Sequence, residues 1–257
     1  MIGQSFDSMK LAYRSLIVAT PDVFFDTTGC AFTFIIAKIV AGCKVAAYVH
    51  YPTISTDMLQ LVWERRPTYN NDNAIVASPL KSYLKMMYYV CFAVCYGLVG
   101  SLSDLVLTNS TWTCNHIRSL WRMAKSIIII FPPCDTQSLV ILPIQNRQKY
   151  IMSIGQFRPE KDHMLQMKAF SLLAKNNNFK DVKLLLIGSC RGSGDESRVQ
   201  ELKALSKSLS IEDRVEFVVN QPFLVLKKWF GIASVGLHTM WNEHFGIGVV
   251  EMVSFIL

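Results

Sequence analysis

The chain has 257 residues, of which 51% are hydrophobic, and it carries a formal net charge of +7 at pH 7. This apolar content is ample for one large or two small folded domains and excludes a disordered chain, while the positive charge favours an anionic partner such as a nucleotide, a lipid diphosphate or an acidic membrane surface. The basic residues are scattered and no zinc finger or aromatic RNA-binding signature is present, so no nucleic-acid partner is expected.

Hydrophobic periodicity predicts alternating helices and strands in the first half of the chain. Helices are predicted near residues 5–19, 56–64 and 112–123, and strands near 22–26, 44–49 and 104–108, the first of them buried. The uninterrupted apolar run 127–131 is typical of a central strand in a parallel sheet. The polar stretch 67–79 is predicted to be a loop.

Residues 84–100 form an almost continuous apolar segment in which Lys85 is the only charge. The segment is marginal for crossing a hydrocarbon core of about 30 Å, so embedding in the membrane from one face suits it better than spanning. A buried core helix is the alternative interpretation of the same composition.

The second half of the chain repeats the alternation after the proline pair Pro132 and Pro133. Strands are predicted near 150–154, 182–187, 215–219 and 234–237, and helices near 162–175, 196–209 and 222–231. Strand and helix in turn on both sides of a proline-marked joint predict an α/β fold of two doubly wound domains. Their predicted bounds are 1–146, which includes the apolar segment 84–100, and 147–257.

The seven cysteines are odd in number and widely spaced, without a C-x-x-C pair or a matching histidine pattern. This usage predicts reduced thiols facing the cytosol rather than a disulfide framework or a zinc site. The chain also lacks an Asp-x-Asp pair that could hold a divalent cation on a diphosphate, so metal-independent chemistry is predicted.

A candidate anion site lies near the end of the sequence, where a helix is predicted to begin near Gly246. Its unpaired N–H groups and dipole would attract a phosphate, and Gly246 and Gly248 would let that phosphate approach the backbone. Glu243 and Glu251 flank this turn, and their carboxylates suit the neutral hydroxyls of a sugar and a ribose on either side of a diphosphate.

Other candidate residues also follow predicted strands, where ligands bind in open α/β sheets. Arg158 and Lys161 follow one strand and could neutralise phosphates, although on the residues alone a solvated surface is the simpler interpretation. His50 follows another strand and could donate to a sugar hydroxyl, although a lone histidine is usually structural.

Three stretches together resemble the retaining GT-B glycosyltransferases, and within them the endoplasmic-reticulum α-1,2-mannosyltransferases that extend a dolichol-linked oligosaccharide. These stretches are the Glu243 and Glu251 pair around Phe-Gly-Ile-Gly, the block from His50 to Leu59, and the block from Gln156 to Lys161. The resemblance runs along nearly the whole chain. It implies a GT-B-like fold of two Rossmann-like domains facing a cleft.

The resemblance also implies a reaction, in which mannose moves from GDP-mannose to a dolichol-diphosphate-linked oligosaccharide with retention and an α-1,2 linkage. It implies no cofactor and a location on the cytosolic face of the endoplasmic-reticulum membrane, with the membrane surface and other glycosyltransferases of N-glycan assembly as partners. The implied catalytic residues are Glu243 and His50. The implied donor-binding residues are Arg158, Lys161, Gly246, Ile247, Gly248 and Glu251.

The chain is shorter than two complete domains of this kind, so both domains are expected to be incomplete and the isolated chain to be inactive. The rival hypothesis is a truncated, non-catalytic relative that binds a sugar nucleotide or a full-length partner. A sugar-nucleotide epimerase of similar architecture is a third alternative.

Overall fold

A computed structural model describes residues 1–65, 73–142, 145 and 147–254. The chain divides into two compact units, Met1–Pro132 and Pro133–Leu257. Each unit contains a four-stranded parallel sheet. The predicted α/β class with parallel sheets is therefore confirmed.

The first unit holds a sheet in the order β1-β2-β3-β4. Its strands are β1 (Val23–Asp26), β2 (Lys44–Val49), β3 (Leu105–Thr108) and β4 (Ile127–Ile129). Its helices are α1 (Ile2–Val18), α2 (Thr33–Ile35, continued by a π-turn over Ile36–Val40), α3 (Thr56–Trp63), α4 (Asn73–Val76), α5 (Pro79–Gly100) and α6 (Thr111–Leu120).

Serine side chains define where three of these helices begin. Ser55, Ser78 and Ser110 precede α3, α5 and α6, and each hydroxyl accepts a hydrogen bond from a backbone N–H in the first turn. Each cap satisfies one of the donors that a helix start leaves unpaired. Both α3 and α6 begin soon after a strand ends, so these caps fix loops at the carboxyl edge of the sheet.

Three details of the first unit differ from the sequence predictions. The strand near 22–26 is mostly accessible rather than buried, since Val23 and Phe25 are exposed at an edge of the sheet. The run 127–131 forms a strand only over Ile127–Ile129, and that strand ends the described order instead of lying centrally. An apolar run indicates strand propensity, and composition alone does not determine a strand's place in the sheet.

The polar stretch 67–79 was predicted as a loop, but Asn73–Val76 is helical and Pro79 begins α5, while 67–72 lies outside the described residues.

The long helix α5 contains the apolar segment and begins earlier than that segment. Its length of 22 residues and its composition suffice for crossing a membrane, and about 33% of its most apolar window is buried within the protein. Tyr89, Phe92 and Tyr96 pack into the core, whereas Leu84, Met87, Val94 and Leu98 are exposed. The core-helix alternative therefore describes one face of α5, and the membrane-facing alternative stays a prediction for its exposed face.

The second unit holds a sheet in the order β7-β6-β5-β8. Its strands are β5 (Tyr150–Ile154), β6 (Lys183–Gly188), β7 (Val215–Val219) and β8 (Val235–Gly236). Its helices are α7 (Gln137–Val140), α8 (His163–Ala174), α9 (Ser193–Ser208), α10 (Phe223–Ile232) and α11 (Ile247–Ser254), with short 3₁₀ turns over Pro159–Lys161, Asn177–Phe179 and Glu212–Arg214. The chain builds outward from β5 to β7 and then returns to the other side of β5. This reversal is the topological switch point of a doubly wound sheet.

The units divide at Pro132 and Pro133, earlier than the predicted boundary at residue 146. The cause is α7, which packs on the second sheet. Leu139 is fully buried there together with Met152 and Phe230. The loose segment after the prolines therefore folds with the second unit. Residues 255–257, the end of the predicted second domain, lie outside the described residues.

Candidate functional site

The loops that follow β5, β6 and β8 come together at the carboxyl edge of the second sheet. Gly188 ends β6 so close to the β5 loop that a Cβ atom there would lie 2.0 Å from the Gly155 carbonyl oxygen. Gly236 in β8 lets α11 approach, because a Cβ atom at this position would lie 2.9 Å from the Met252 sulfur. Small residues therefore allow the loops and α11 to crowd around the switch point, where open α/β sheets bind ligands.

The structure brings together Lys161 and Glu243, two of the residues selected from the sequence. Lys161 Nζ donates to Glu243 Oε2 at 3.0 Å, and each side chain keeps only about a quarter of its surface exposed, 23% and 24%. The Lys161 stem packs against Gly155, where a Cβ atom would lie 3.3 Å from it. Lys161 is thus a cation held at the switch point and neutralised by a carboxylate from the β8 loop.

His238 also approaches Glu243. Its Nε2 lies 2.8 Å from Glu243 Oε2, a distance that gives an ion pair when the imidazole is protonated, although the angle is not that of a hydrogen bond. Burial raises the pKa of Glu243, but the hydrogen bond and charge of Lys161, helped by His238 and the backbone N–H of His244, outweigh burial and lower it overall. Glu243 is therefore ionised at neutral pH and available to accept hydrogen bonds.

The predicted anion-binding turn is present as a positive-φ glycine followed by a helix. Gly246 has φ of +81°, and its carbonyl oxygen accepts from the backbone N–H groups of Val249 and Val250. The N–H groups of Ile247 and Gly248 belong to the first turn, which has no preceding helical carbonyl to bond. A Cβ atom at Gly246 would lie 3.0 Å from Glu243 Cγ, so a glycine is required both for the backbone angle and for the space.

Glu251 lies one turn inside α11 and is half-buried. Burial raises its pKa. Within the described part of the chain, no hydrogen bond or ion pair compensates this carboxylate. A partly desolvated carboxylate without a donor is suited to receive hydrogen bonds from a ligand hydroxyl.

Replacing Glu251 with glutamine is expected to stabilise the second unit at neutral pH, by no more than about 1 kcal/mol because a half-exposed charge is screened by water. The raised pKa of Glu251 means that the folded state carries a penalty whenever this group is ionised. The gain should shrink as the pH falls through the raised pKa and should vanish below the unfolded value of about 4.3. Urea unfolding at pH 7.5 and pH 4 would measure it, and a gain that is equal at both pH values would contradict the assignment.

Among the described contacts of the second unit, Arg158 makes none with the Lys161 and Glu243 pair. Arg158 lies 3.9 Å from Glu160 in its own turn and is partly exposed. His50 belongs to the first unit, where it follows β2, is exposed and packs its ring edgewise against Tyr48 at 4.7 Å. The roles predicted for these two residues stay predictions.

Sequence analysis missed a chain of polar contacts, buried at one end, that supports Lys161 through its backbone. The Thr239 hydroxyl donates to the Lys161 carbonyl oxygen at 2.7 Å, and Gln166 Nε2 donates to Thr239 Oγ1 at 2.8 Å. Gln166 is 2% exposed on α8. The sequence signal for this support was Gln166 itself, because it is a glutamine on the apolar face of the helix predicted near 162–175, between Met164 and Met167.

His163 was also missed, although it begins α8 beside Lys161. Its ring stacks on Phe157 at 5.0 Å and is 2% exposed. Burial lowers its pKa to about 4, aided by the charges of Lys161 and Arg198. His163 is therefore a neutral packing residue under the β5 loop at physiological pH.

The fold and this site define a class of protein. A UDP-forming α,α-trehalose-phosphate synthase from Burkholderia xenovorans, solved in complex with glucose-6-phosphate, is similar over 99% of this chain and 61% of its own, with a TM-score of 0.69 and 11% identity. At that identity the likeness shows the fold alone, which is the GT-B fold of glycosyltransferases.

Sequence comparison relates each half of the chain to a described protein family. Residues 1–121 match the family described as ALG11 mannosyltransferase N-terminus, and residues 136–256 match glycosyl transferases group 1. The chain is 48% identical to GDP-Man:Man(3)GlcNAc(2)-PP-Dol alpha-1,2-mannosyltransferase from Mus musculus over 261 residues, which cover 99% of this chain and 53% of the relative. The Homo sapiens protein of the same name is 46% identical with the same coverage. The chain spans about half the length of the curated relatives it matches.

Proposed function

We propose that the protein transfers mannose from GDP-mannose to a dolichol-diphosphate-linked oligosaccharide, with retention at the sugar carbon and formation of an α-1,2 linkage. The observation that carries this proposal is the Lys161 and Glu243 pair beside the first turn of α11, at the switch point of the second sheet. The names of the similar proteins specify a GDP-mannose donor and a dolichol-diphosphate-linked acceptor, and this supports the same substrate classes here. Assembly of an N-glycan precursor is the process to which this reaction belongs.

The diphosphate of the donor would lie against the start of α11. Backbone N–H groups at Ile247 and Gly248 and the positive end of the helix dipole attract an anion, and Gly246 leaves room for its approach. Lys161 supplies a full positive charge at the same edge, and Arg158 would add a second after its side chain turns from Glu160. These positive groups stabilise the charge that collects on the diphosphate as it leaves.

The two carboxylates would grip the neutral parts of the donor. Glu243 is ionised and accepts hydrogen bonds from mannose hydroxyls, while Glu251 accepts from the ribose diol. A rise of about 1.5 Å per residue along α11 places Glu251 farther along the helix, toward the nucleoside. His50 keeps its predicted role as a donor to a sugar hydroxyl.

The transfer step breaks the bond between the mannose anomeric carbon and the diphosphate oxygen. The acceptor hydroxyl oxygen forms the new bond on the same face, and its proton passes to the departing diphosphate. The protein contributes position and electrostatic stabilisation to this step. Its cations fulfil the role that a divalent ion plays on a diphosphate elsewhere, and the proposal includes no cofactor.

The exposed face of α5 supports a location on the membrane that carries such an acceptor. Its apolar side chains and the basic residues near its start favour the cytosolic leaflet of the endoplasmic-reticulum membrane. Association with other glycosyltransferases of the same assembly is part of this proposal.

Radiolabelled GDP-mannose and a dolichol-linked acceptor provide the test. We expect the protein in its longest natural form to move label into the lipid fraction, and Glu243→Gln to reduce this transfer at least tenfold through loss of a charged hydrogen bond. Asp181→Asn, which removes a carboxylate from an exposed ion pair with Lys149, is the matched control and should leave transfer unchanged.

Three results would oppose the proposal in different ways. Binding of GDP without transfer would make the protein a sugar-nucleotide binder. Conversion of free GDP-mannose into another GDP-sugar would make it an epimerase. Equal rates of transfer by Glu243→Gln and by the natural protein would show that the Glu243 carboxylate does not contribute to the reaction.

A further inference from the structure

Two side-chain nitrogens from different loops converge on a single oxygen of Glu243. Lys161 Nζ lies 3.0 Å from Glu243 Oε2, and His238 Nε2 lies 2.8 Å from the same atom. The other carboxylate oxygen, Oε1, accepts from the backbone N–H of His244 at 3.2 Å. Because Oε2 has two side-chain partners, Glu243 can lose one of them and still remain paired.

The imidazole of His238 turns its Nε2 atom inward. This nitrogen has almost no exposed surface, and none of the described residues meets it in hydrogen-bond geometry. At 2.8 Å from Glu243 Oε2, two facing lone pairs would repel, so the contact is attractive only when Nε2 carries a hydrogen. His238 is therefore oriented to donate to the Glu243 carboxylate, and a small rotation of either side chain aligns the hydrogen bond.

The backbone on both sides of His238 is anchored to β5 and its loop. The Leu237 N–H donates to the Met152 carbonyl oxygen at 2.8 Å, which continues the pairing of β8 with β5. The Thr239 hydroxyl donates to the Lys161 carbonyl oxygen at 2.7 Å. The Lys161 ammonium group, in contrast, lies at the end of a flexible alkyl stem. A change of partner is therefore easier for the Lys161 side chain than for His238.

The proposed function requires two partners of one ammonium group. Lys161 is paired with Glu243 in the structure, and it would donate to the donor diphosphate once that ligand is bound. The Glu243 side chain is only 24% exposed, so a carboxylate left there without a partner beside a diphosphate would be both poorly solvated and repelled. Among the described residues, His238 is the other side chain that faces Glu243 Oε2.

We propose that His238 is a positioning residue that holds Glu243 while Lys161 transfers its hydrogen bond from Glu243 to a diphosphate. The identity of the ligand rests on the proposed function, to which this inference adds an exchange of partners inside the site. Lys161 turns to the phosphate oxygens, Glu243 Oε2 keeps His238, and Oε1 keeps the backbone N–H of His244. The hydrogen on His238 Nε2 stays on the imidazole, so the exchange involves hydrogen bonds alone.

A double-mutant cycle tests this exchange, with inorganic diphosphate as the probe and isothermal titration of the full chain as the measurement. We expect His238→Leu to weaken diphosphate binding about tenfold in the natural sequence, because Glu243 then has no side-chain partner once Lys161 leaves. In a Glu243→Gln background the same replacement should change the affinity by less than about twofold, because a neutral amide needs no charged partner. A residue that only supports the fold would weaken binding equally in both backgrounds.

A conservative variant, His238→Gln, separates the hydrogen bond from the packing of the ring. The glutamine Nε2 reaches the place of the imidazole Nε2 and can donate to the same oxygen, so the affinity should stay within about twofold of the natural protein. Leucine fills a similar volume without a donor. If urea unfolding shows that leucine disturbs the second unit, His238→Asn takes its place, because the shorter amide does not reach Glu243.

The proposal is overturned if His238→Leu leaves the diphosphate affinity unchanged, if its effect is the same in the Glu243→Gln background, or if His238→Gln binds as weakly as His238→Leu. Lys161→Met, measured in the same series, reports on the proposed function. If that variant binds diphosphate like the natural protein, the proposed diphosphate site and the exchange both fail. Coupling between His238 and Glu243 in a protein that transfers no mannose would retain the exchange and remove the proposed function.

Discussion

Replacing Lys161 with methionine should weaken GDP binding about 10- to 100-fold, which corresponds to about 1.5–3 kcal/mol for hydrogen bonds to a charged group. The methionine keeps the apolar stem that packs against Gly155 and removes the ammonium group. Isothermal titration with GDP measures the change. The matched control is Lys149→Met, which removes an exposed lysine from a pair with Asp181 and should change the affinity by less than about twofold.

Replacing Glu243 should have the opposite effect and strengthen phosphate binding, because this carboxylate is paired with Lys161 when no donor is bound. Glu243→Gln releases the ammonium group, so the affinity for inorganic diphosphate should rise while transfer of mannose falls. Equal losses of GDP binding in the Lys161 and Lys149 variants, or a fall in diphosphate affinity in Glu243→Gln, would show that the pair is not the diphosphate site.

Gly188→Ala should destabilise the second unit by about 3 kcal/mol or more and remove GDP binding with it. The added methyl group would lie 2.0 Å from the Gly155 carbonyl oxygen and 3.1 Å from the Phe157 ring, and a backbone atom cannot move aside as a side chain can. Displacement of the β5 loop would carry Lys161 away from Glu243. Urea unfolding followed by tryptophan fluorescence measures the stability.

Gly192→Ala is the control for this substitution, because it lies on the same loop with no atom within 4 Å of the added methyl group and with extended backbone at φ of −177°. We expect a loss of no more than about 1 kcal/mol there, the cost of alanine at a helix start. Comparable stability of the Gly188 and Gly192 variants would mean that the close approach of the two loops does not hold in solution.

Strands and their ends were the most predictable part of this fold. The predicted strands 150–154 and 215–219 have the observed bounds, because each is an apolar stretch closed by polar or glycine residues. That pattern was enough to place 155–161 and 238–246 directly after predicted strands. The order of the sheet was not encoded locally, so the edge position of 127–129 could not be obtained from composition. The proline pair marked the joint between the units, but nothing in the sequence indicated that the segment after it packs with the second unit.

The candidate site was predictable as a set of residues and not as a set of contacts. The glycine turn and the flanking glutamates are visible in sequence, and the family resemblance supplied their roles. The pairing of Lys161 with Glu243, and the support from Gln166 through Thr239, join residues far apart in the chain. Such contacts depend on β8 pairing with β5, which no local pattern specifies.

The position of β8 also affects the order in which the protein can fold. Strands β5, β6 and β7 pair with neighbours in sequence, whereas the Lys161 and Glu243 contact spans 82 residues and needs β8 to dock on the far side of β5. Closing so long a segment costs chain entropy before any contact offsets it, so we expect the site to form after the rest of the sheet. A nucleotide that binds only the docked arrangement would then stabilise this last step by mass action and would act on a newly made chain as a folding ligand.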